Sequence, residues 1–452
     1  MIAGFKRASM AASIAGLLSV TGLMWQADSL ERLVLERVER GGSTGLAVAE
    51  VTLGGVRFAQ AGKRRGEESE RIDSISVFEI GSVSKVLTTT LLAEMVGRGE
   101  VALEDPVERY LPASVRMPEY NGRKITLLDL ATATSGLPRI PDLEPPDPAN
   151  PYAHFGAKEL YAWLSGYTLT REPGLTYEYS NLGMGLLGHA LALKAGKPYQ
   201  QLVRERMLQP LGMTETRIVL TEDLRARLVS GHGSDLQPAA NWDFDALAGA
   251  GGWRSTARDM ARLVTAMLHP PAGTLGAAIA LTVKPRRETG RPNLRIGLGW
   301  HILQRGSRRI LWHNGETAGY YSWVGFDVEA GRGAVVLSGS ALEIDDIGLH
   351  LVDSTIPLHQ LPSARQPVAV EVSQLDRYVG RYELAPGFVL EVTRNRDQLL
   401  CQATGQGRLK LIALSPTRFA VQAVEAELEF KVDGSEVTLF QGGRQTPGKR
   451  LP

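Results

Sequence analysis

The amino-acid sequence predicts an α+β fold: an antiparallel sheet flanked by helices, with an inserted helical subdomain, followed by a small all-β domain. Strand-like patterns occur before residue 62 and again between residues 295 and 340, and helical periodicity dominates the region between them. Strands at both ends of a helical region favour one sheet over alternating βαβ units. A proline-rich segment near residue 360 then precedes a run of short strands, which indicates a second unit.

The elements of the first unit follow from these patterns. Residues 29–40 are predicted to form a helix and residues 44–62 a hairpin, and helices separated by proline- and glycine-rich loops follow to about residue 269. Strand patterns return in the segments RIGLGWHIL, RRILWHN, YYSWVGFDV and GAVVLSG, and residues 343–352 are predicted to close the unit as a helix. We expect these elements to form one domain at residues 28–357.

The second unit is predicted from turn residues and alternation. Residues 358–370 are rich in proline, lack periodicity and have the composition of a linker. Residues 371–452 contain six strand-like segments separated by Gly, Pro, Asn-Arg or Asp-Gly. A small, barrel-like β domain is therefore expected at the C-terminal end.

Composition excludes several functions. The chain has 452 residues, ordinary globular usage and a net charge of +1, and no Lys/Arg-rich block suggests binding to nucleic acid. Cys401 is the single cysteine, which excludes an internal disulfide and a thiolate metal site. No motif implies a metal or a cofactor.

The N-terminal residues predict export. Lys6 and Arg7 precede an uncharged stretch from Ala8 to Ala27, a pattern typical of a secretory signal. Trp25 stands where a cleavage site prefers a small residue, and about 20 uncharged residues are also long enough for a membrane anchor. Residues 1–27 are thus a signal peptide or an anchor, and a periplasmic or extracellular location is expected.

The segment FEIGSVSKV places Ser82 and Lys85 three residues apart where a long helical pattern begins. Ser82 is suited to cap this helix. Lys85 is unfavourable there by about 0.3–1 kcal/mol, because a helix N-terminus carries partial positive charge. The S-x-x-K pattern alone is common by chance, so its meaning depends on other motifs.

Two other motifs contain polar side chains that suit a pocket. Tyr179 and Asn181 are two residues apart where a short strand is expected to run into a helix, so both side chains can face one side. His313 and Gly315 lie at the end of a predicted strand, where glycine permits close approach of a ligand. Taken singly, each has an ordinary structural explanation: a strand-end aromatic, a helix cap and a half-buried histidine.

Together the three motifs S-x-x-K, Y-x-N and H-x-G resemble those of the serine hydrolases built like class C β-lactamases and penicillin-binding DD-peptidases. The resemblance extends from about Ser29 to Pro357 and implies a β-lactamase/transpeptidase-like fold, with a β appendage known from some of these hydrolases. One departure is Ala133, which precedes Thr134-Ser135-Gly136 where such enzymes commonly have histidine. We interpret it as a change in supporting structure.

The resemblance also implies catalytic roles. Ser82 would be the nucleophile, and because a serine hydroxyl needs an adjacent base, Lys85 or Tyr179 would accept its proton. For Lys85 this requires a pKa about three units below its usual value of about 10.4. The backbone N–H groups of Ser82 and Glu316 would bind the oxyanion. The division of work between Lys85 and Tyr179 stays open.

Substrate binding would involve Asn181, His313 and Gly315. His313 replaces the lysine common in β-lactamases, and an imidazole with a pKa of about 6.5 is mostly neutral at pH 7. The leading hypothesis is a serine hydrolase that acts through acyl-Ser82 on β-lactams or D-alanyl peptides. Carboxylesterase or D-aminopeptidase activity is the enzymatic alternative, and a penicillin-binding or peptidoglycan-sensing protein with little turnover is the alternative of another class.

Two further patterns match other enzymes. Residues 41–45 match the G-x-S-x-G elbow of α/β-hydrolases, but a helix precedes Ser43 and a strand follows it, which is the wrong order. Residues 183–188 match the dinucleotide fingerprint G-x-G-x-x-G, but no βαβ unit surrounds them. We interpret Ser43 as a turn residue and the glycines as helix-packing residues.

Overall fold

The computed structural model describes residues 29–66, 69–142, 145–359, 368–422, 426–441 and 444–452. The predicted signal or anchor at residues 1–27 lies outside these ranges and stays a prediction. Within the described ranges, no helix has the length and apolar character needed to cross a bilayer.

Eight strands near the two ends of the first unit form one antiparallel sheet. The first twelve strands are β1 (Gly45–Thr52), β2 (Gly55–Gly62), β3 (Val77–Glu79), β4 (Glu119–Tyr120), β5 (Arg123–Lys124), β6 (Arg254–Thr256), β7 (Arg287–Glu288), β8 (Leu294–Ile296), β9 (His301–Arg305), β10 (Arg308–Glu316), β11 (Tyr321–Asp327) and β12 (Arg332–Ser338). The strand order in the sheet is β2-β1-β12-β11-β10-β9-β8-β7. Segments that are distant in sequence thus pair within the sheet, where Val48 of β1 lies opposite Val336 of β12.

Helices cover both faces of this sheet, and most of them come from the part of the chain between β2 and β7. They are α1 (29–39), α2 (Ser84–Gly97), α3 (Leu127–Ala131), α4 (Ala157–Gly166), α5 (Asn181–Ala195), α6 (Tyr199–Val203), α7 (Glu222–Ala226), α8 (Ala248–Gly251), α9 (Ala257–Leu268), α10 (Thr274–Thr282) and α11 (Asp345–Val352). Alternate residues of β1 point to opposite faces: Ala47 and Ala49 join one apolar core, Leu46 and Val48 another. The predicted α+β architecture with an inserted helical region is confirmed.

Helix α2 is buried on all sides from Ser84 to Met95 and forms the centre of the main core. A short 3₁₀ turn, Gly81–Val83, connects β3 to this helix and contains Ser82. No side chain caps α2, so the expectation that Ser82 acts as its cap is wrong. The Ser82 hydroxyl instead forms a hydrogen bond with the amine of Lys85.

The C-terminal unit is a closed barrel of eight strands behind one helix. These elements are α12 (Val372–Tyr378), β13 (Gly380–Ala385), β14 (Phe388–Asn395), β15 (Gln398–Ala403), β16 (Arg408–Ala413), β17 (Arg418–Val421), β18 (Ala426–Phe430), β19 (Glu436–Gln441) and β20 (Arg444–Arg450). The predicted all-β unit is confirmed, but β13 and β20 are additional to the six predicted strands. β20 is mostly exposed, polar and contains Pro447, so it lacks a strand signal.

The junction between the two units is only partly described, since residues 360–367 lie outside the described ranges. Helix α11 ends at Val352, and α12 begins at Val372. The linker at residues 358–370 and the exact domain limits therefore stay predictions.

Candidate active site

Ser82 and Lys85 form the centre of the site. Lys85 is 2% exposed, and its Nζ atom lies 2.8 Å from Ser82 Oγ and 2.7 Å from the carbonyl oxygen of Ala250. Burial lowers the pKa of Lys85 well below its usual value, and the positive charge of Arg139 lowers it further. The lowered pKa favours the neutral amine of Lys85 beside the Ser82 hydroxyl. A neutral amine also removes the unfavourable positive charge at the start of the helix.

Two glycines bring β10 against the turn that contains Ser82. Gly81 has a positive φ of 45°, and a Cβ atom on it would lie 2.8 Å from the backbone nitrogen of Glu316. A Cβ atom on Gly315 would overlap the carbonyl oxygen of Ile80 and lie 2.8 Å from the backbone nitrogen of Ser82. The backbone N–H groups of Ser82 and Glu316 consequently lie close together beside the Ser82 hydroxyl.

Tyr179 contributes a buried phenol to the same site. Lys85 Nζ lies 4.8 Å from the centre of its ring, and the Arg139 guanidinium lies 5.2 Å from it. Burial raises the pKa of Tyr179, and a hydrogen bond to Ser82 opposes this only in part. The phenol therefore retains its proton at neutral pH. The strand predicted before α5 is wrong, because residues 177–180 have irregular structure.

Asn181 is the first residue of α5, and its backbone N–H donates to the carbonyl oxygen of Arg139. Its side-chain Oδ1 is buried and has no hydrogen-bond partner among the described residues. Ser180 caps the helix instead, since its hydroxyl accepts from the backbone N–H of Gly183 at 2.9 Å. The carboxamide of Asn181 is therefore available to a ligand.

His313 lies on β10 and is buried. Its Nδ1 atom lies 2.5 Å from the carbonyl oxygen of Asn314, so Nδ1 carries the proton and donates. Burial is the main cause that lowers the pKa of His313 well below its usual value, and the charges of His301 and Lys85 act in the same direction. The expected neutral imidazole is retained, but its pKa lies below the value of about 6.5 assumed from the sequence.

Ala133 shows how the departure from the family pattern is accommodated. It adopts a left-handed conformation with φ of 54°, which is uncommon for a residue other than glycine. Its carbonyl oxygen accepts a hydrogen bond of 2.8 Å from the backbone N–H of Glu178, next to Tyr179. The backbone at Ala133 thus supports the tyrosine segment without a histidine side chain.

Sequence reasoning missed several residues of the site. Tyr177 donates or accepts a 3.0 Å hydrogen bond with His301 Nε2, and the His301 ring lies 5.1 Å from the ring of His313. Burial raises the pKa of Tyr177 to about 12 and lowers the pKa of His301 to about 4. The spacing used for Tyr179 and Asn181 could have identified Tyr177. His301 gave no local signal, because it reaches the site through its pairing with Trp312.

The two alternative motifs have structural roles. Ser43 is 2% exposed, and its hydroxyl lies 2.7 Å from Ser338 Oγ, away from any strand-to-helix elbow. A Cβ atom on Gly185 would lie 2.6 Å from Leu247 Cδ2, so this glycine permits close packing of α5 against the Leu247 segment.

The site opens into one cleft of about 850 Å³. Ser82, Tyr179, Asn181, Gly315 and Glu316 line it together. A serine hydroxyl, a desolvated amine, a protonated phenol and two nearby backbone N–H groups are the components that acyl transfer requires. The arrangement is therefore chemically suited to form an ester on Ser82.

Comparisons with known proteins agree with this arrangement. A family model described as Beta-lactamase matches residues 30–347, and one described as a domain of unknown function (DUF3471) matches residues 364–441. The chain is 36% identical to the D-alanyl-D-alanine-carboxypeptidase/endopeptidase AmpH of Escherichia coli strain K12 over an aligned segment of 247 residues. This segment is 54% of this chain and 62% of AmpH, so the match spans less than two thirds of that relative. The chain is 32% identical over 282 residues to a beta-lactamase of the same strain, with 61% and 70% covered.

Solved structures show the same fold. A beta-lactamase/D-alanine carboxypeptidase from Yersinia pestis superimposes with a TM-score of 0.63 at 25% identity and covers 74% of this chain and 98% of that protein. An octameric penicillin-binding protein homologue from Pyrococcus abyssi, at 20% identity, shares the fold over 93% of this chain with a TM-score of 0.64. The expected β-lactamase/transpeptidase-like fold is thus confirmed, and the chain belongs to the β-lactamase family.

Proposed function

We propose that this protein is an exported serine hydrolase that acts through an acyl-Ser82 intermediate on β-lactams or D-alanyl peptides. The observation that carries this proposal is the 2.8 Å distance between Ser82 Oγ and the buried amine of Lys85. AmpH, a relative of this chain, is named as a D-alanyl-D-alanine-carboxypeptidase/endopeptidase, and another relative as a beta-lactamase.

In the proposed reaction, Ser82 Oγ attacks the carbonyl carbon of the substrate while Lys85 accepts the hydroxyl proton. The negative oxygen of the tetrahedral intermediate accepts hydrogen bonds from the backbone N–H groups of Ser82 and Glu316. Cleavage of the C–N bond expels the amine, which takes a proton, and water then hydrolyses the ester and restores Ser82.

The opposite pKa shifts of the two candidate bases support a division of labour. The pKa of Lys85 is lowered, which favours the neutral amine that can accept a proton. The pKa of Tyr179 is raised, which favours a neutral phenol that can donate one to the leaving group. We therefore assign the base to Lys85 and the acid to Tyr179.

Substrate orientation is assigned to the residues around this pair. The Oδ1 atom of Asn181, which has no partner among the described residues, can accept a hydrogen bond from an amide N–H of an acyl chain. On β10, Gly315 lines the cleft, whereas His313 is 2% exposed and adjoins the cleft through His301, whose ring lies 5.1 Å from its own. The basic and apolar pattern of residues 1–27 supports export, either with cleavage or with retention as a membrane anchor.

Hydrolysis of esters is the second candidate, and the neutral state of His313 favours it. A neutral imidazole gives no fixed charge for a substrate carboxylate, so the site can also accept uncharged acyl donors such as simple esters. D-aminopeptidase activity belongs to the same alternative. A penicillin-binding or sensing role would require the same acylation with slow deacylation.

The test is turnover of three substrates: a chromogenic cephalosporin, a D-alanyl-D-alanine peptide and a short-chain p-nitrophenyl ester. Ser82→Ala should abolish turnover of all three and labelling by a fluorescent penicillin, whereas the exposed Ser354→Ala should retain both. Labelling without turnover would favour the penicillin-binding role, and turnover of the ester alone would favour the esterase. Retained turnover in Ser82→Ala would refute the mechanism.

A further inference from the structure

The C-terminal barrel contributes to the wall of the catalytic cleft. Gln402 and Arg408 line the same cleft as Ser82, and they pair with each other across the hairpin of β15 and β16. The tip of this hairpin lies against the loop that contains Ser234, whose hydroxyl donates a 2.5 Å hydrogen bond to the carbonyl oxygen of Arg408. A Cβ atom on Gly407 would lie 2.9 Å from Ser234 Oγ, so the two segments are in close contact.

Three arginines converge on this cleft: Arg139, Arg291 and Arg408. Among the described residues, none of the three forms an ion pair with a carboxylate. Elsewhere many arginines do, for example Arg37 with Asp346 and Arg254 with Glu79. These three arginines outnumber the two acidic residues that line the cleft, Asp235 and Glu316, so the charge of the lining favours an anionic ligand.

The three arginines do not have equivalent surroundings. Arg139 lies over the Tyr179 ring. Burial raises the pKa of Glu316, and the positive charge of Arg139 opposes this in part. Asp235 also lines the cleft, but its Oδ1 accepts from the backbone N–H of Gln237 at 3.0 Å. Arg408 is exposed and is the only one of the three that the barrel supplies.

We propose that Arg408 is a specificity-determining residue that binds a carboxylate of the substrate across the boundary between the two domains. This inference rests on the proposed function, because it concerns the acyl donor of Ser82. His313 is neutral, so it does not provide the positive charge that a carboxylate requires. The planar guanidinium of Arg408 can supply it through two parallel N–H donors.

The experiment compares an anionic with an uncharged substrate in the full-length protein. For Arg408→Ala, we expect KM for the chromogenic cephalosporin to rise about three- to tenfold, the effect of one charge-assisted contact at a partly exposed site, with little change in kcat. KM for the p-nitrophenyl ester should be unchanged. Arg408→Lys should restore part of the loss, and Arg408→Glu should raise KM further.

A matched control is Arg444→Ala, since Arg444 is also exposed on the barrel but does not line the cleft. It should leave both substrates unaffected. Added salt should raise the cephalosporin KM of the wild type more than that of Arg408→Ala, because screening weakens the interaction that the variant lacks.

The outcomes separate this inference from the proposed function. Equal kinetics of wild type and Arg408→Ala on the cephalosporin overturn the role of Arg408 while acylation at Ser82 stands. Equal losses on both substrates, without rescue by lysine, indicate a structural effect and also overturn it. If Ser82→Ala retains turnover, the proposed function fails first, and the inference fails with it.

Discussion

The catalytic cleft and the C-terminal barrel differ in what they bury. Around the cleft the chain buries ionisable side chains, among them Lys85, His313 and the ion pair of Glu79 with Arg254. In the described part of residues 371–452, no Lys, Arg, His, Asp or Glu side chain is buried, and the buried polar groups are the Gln422 amide, the phenols of Tyr378 and Tyr382 and the Cys401 thiol. The barrel core consists of apolar and aromatic residues such as Phe430.

The buried ionisable groups lower the stability of the fold around the cleft, where the proposed reaction requires them. A buried amine or imidazole without a charged partner is unfavourable unless it loses its charge, and the lowered pKa values of Lys85 and His313 show that response. The barrel has no such group in its described core, so its contribution to function must come from its surface. Gln402 and Arg408 are the residues of that surface that line the cleft.

The largest effect is expected for Lys85→Ala, which removes the proposed base. Acylation should fall about 10²–10⁴-fold, the usual contribution of a positioned general base. Lys158→Ala is the matched control, since Lys158 is exposed on α4 away from the cleft. The measurement is the rate of labelling by a fluorescent penicillin in stopped-flow or quench experiments. A loss below threefold would assign the base to Tyr179.

The assignment of Lys85 as the base also predicts how the acylation rate depends on pH. Because only the neutral amine accepts a proton, the acylation rate should rise with pH, about tenfold per unit below the pKa of Lys85, and level off above it. The lowered pKa moves this plateau below the usual lysine range. His313 should add no inflection near pH 6–7, because burial keeps its pKa below that range.

A smaller loss is expected for Gly315→Ala. The added methyl group would overlap the Ile80 carbonyl oxygen and push β10 away from the backbone nitrogen of Ser82. Displacing one oxyanion donor should reduce kcat about 10²–10³-fold. Gly166→Ala is the control, because open space surrounds Gly166. Wild-type kcat in Gly315→Ala would contradict the position assigned to the oxyanion.

The sequence predicted the parts of the site that depend on local spacing. Ser82 and Lys85 are one helical turn apart, so their contact follows from spacing once the helix is placed. The sequence could not show that His301 lies opposite Trp312, or that Arg139, Arg291 and Arg408 meet in one cleft. These juxtapositions depend on strand register and on the packing of two domains, which periodicity does not encode.

The barrel offers the last test of the comparison. Phe430 is 3% exposed and stacks on Tyr378 with ring centres 4.6 Å apart. Phe430→Ala should destabilise the barrel by about 3–5 kcal/mol through loss of buried area and a residual cavity. Val432→Ala is the control, because Val432 is 61% exposed and its change should be within about 0.5 kcal/mol.

Two probes distinguish the domains during unfolding. The barrel contains no tryptophan, and six of the seven tryptophans lie between residues 163 and 323, so their fluorescence reports the hydrolase unit, whereas far-UV circular dichroism reports both units. In Phe430→Ala we expect an early transition by circular dichroism alone. At temperatures above this early transition, turnover of the p-nitrophenyl ester should persist. KM for the cephalosporin should rise, because an unfolded barrel no longer holds Arg408 at the cleft. If the fluorescence change and the loss of ester turnover occur in the same transition as the change in circular dichroism, the two units unfold together. The hydrolase unit and the barrel would then be one cooperative domain.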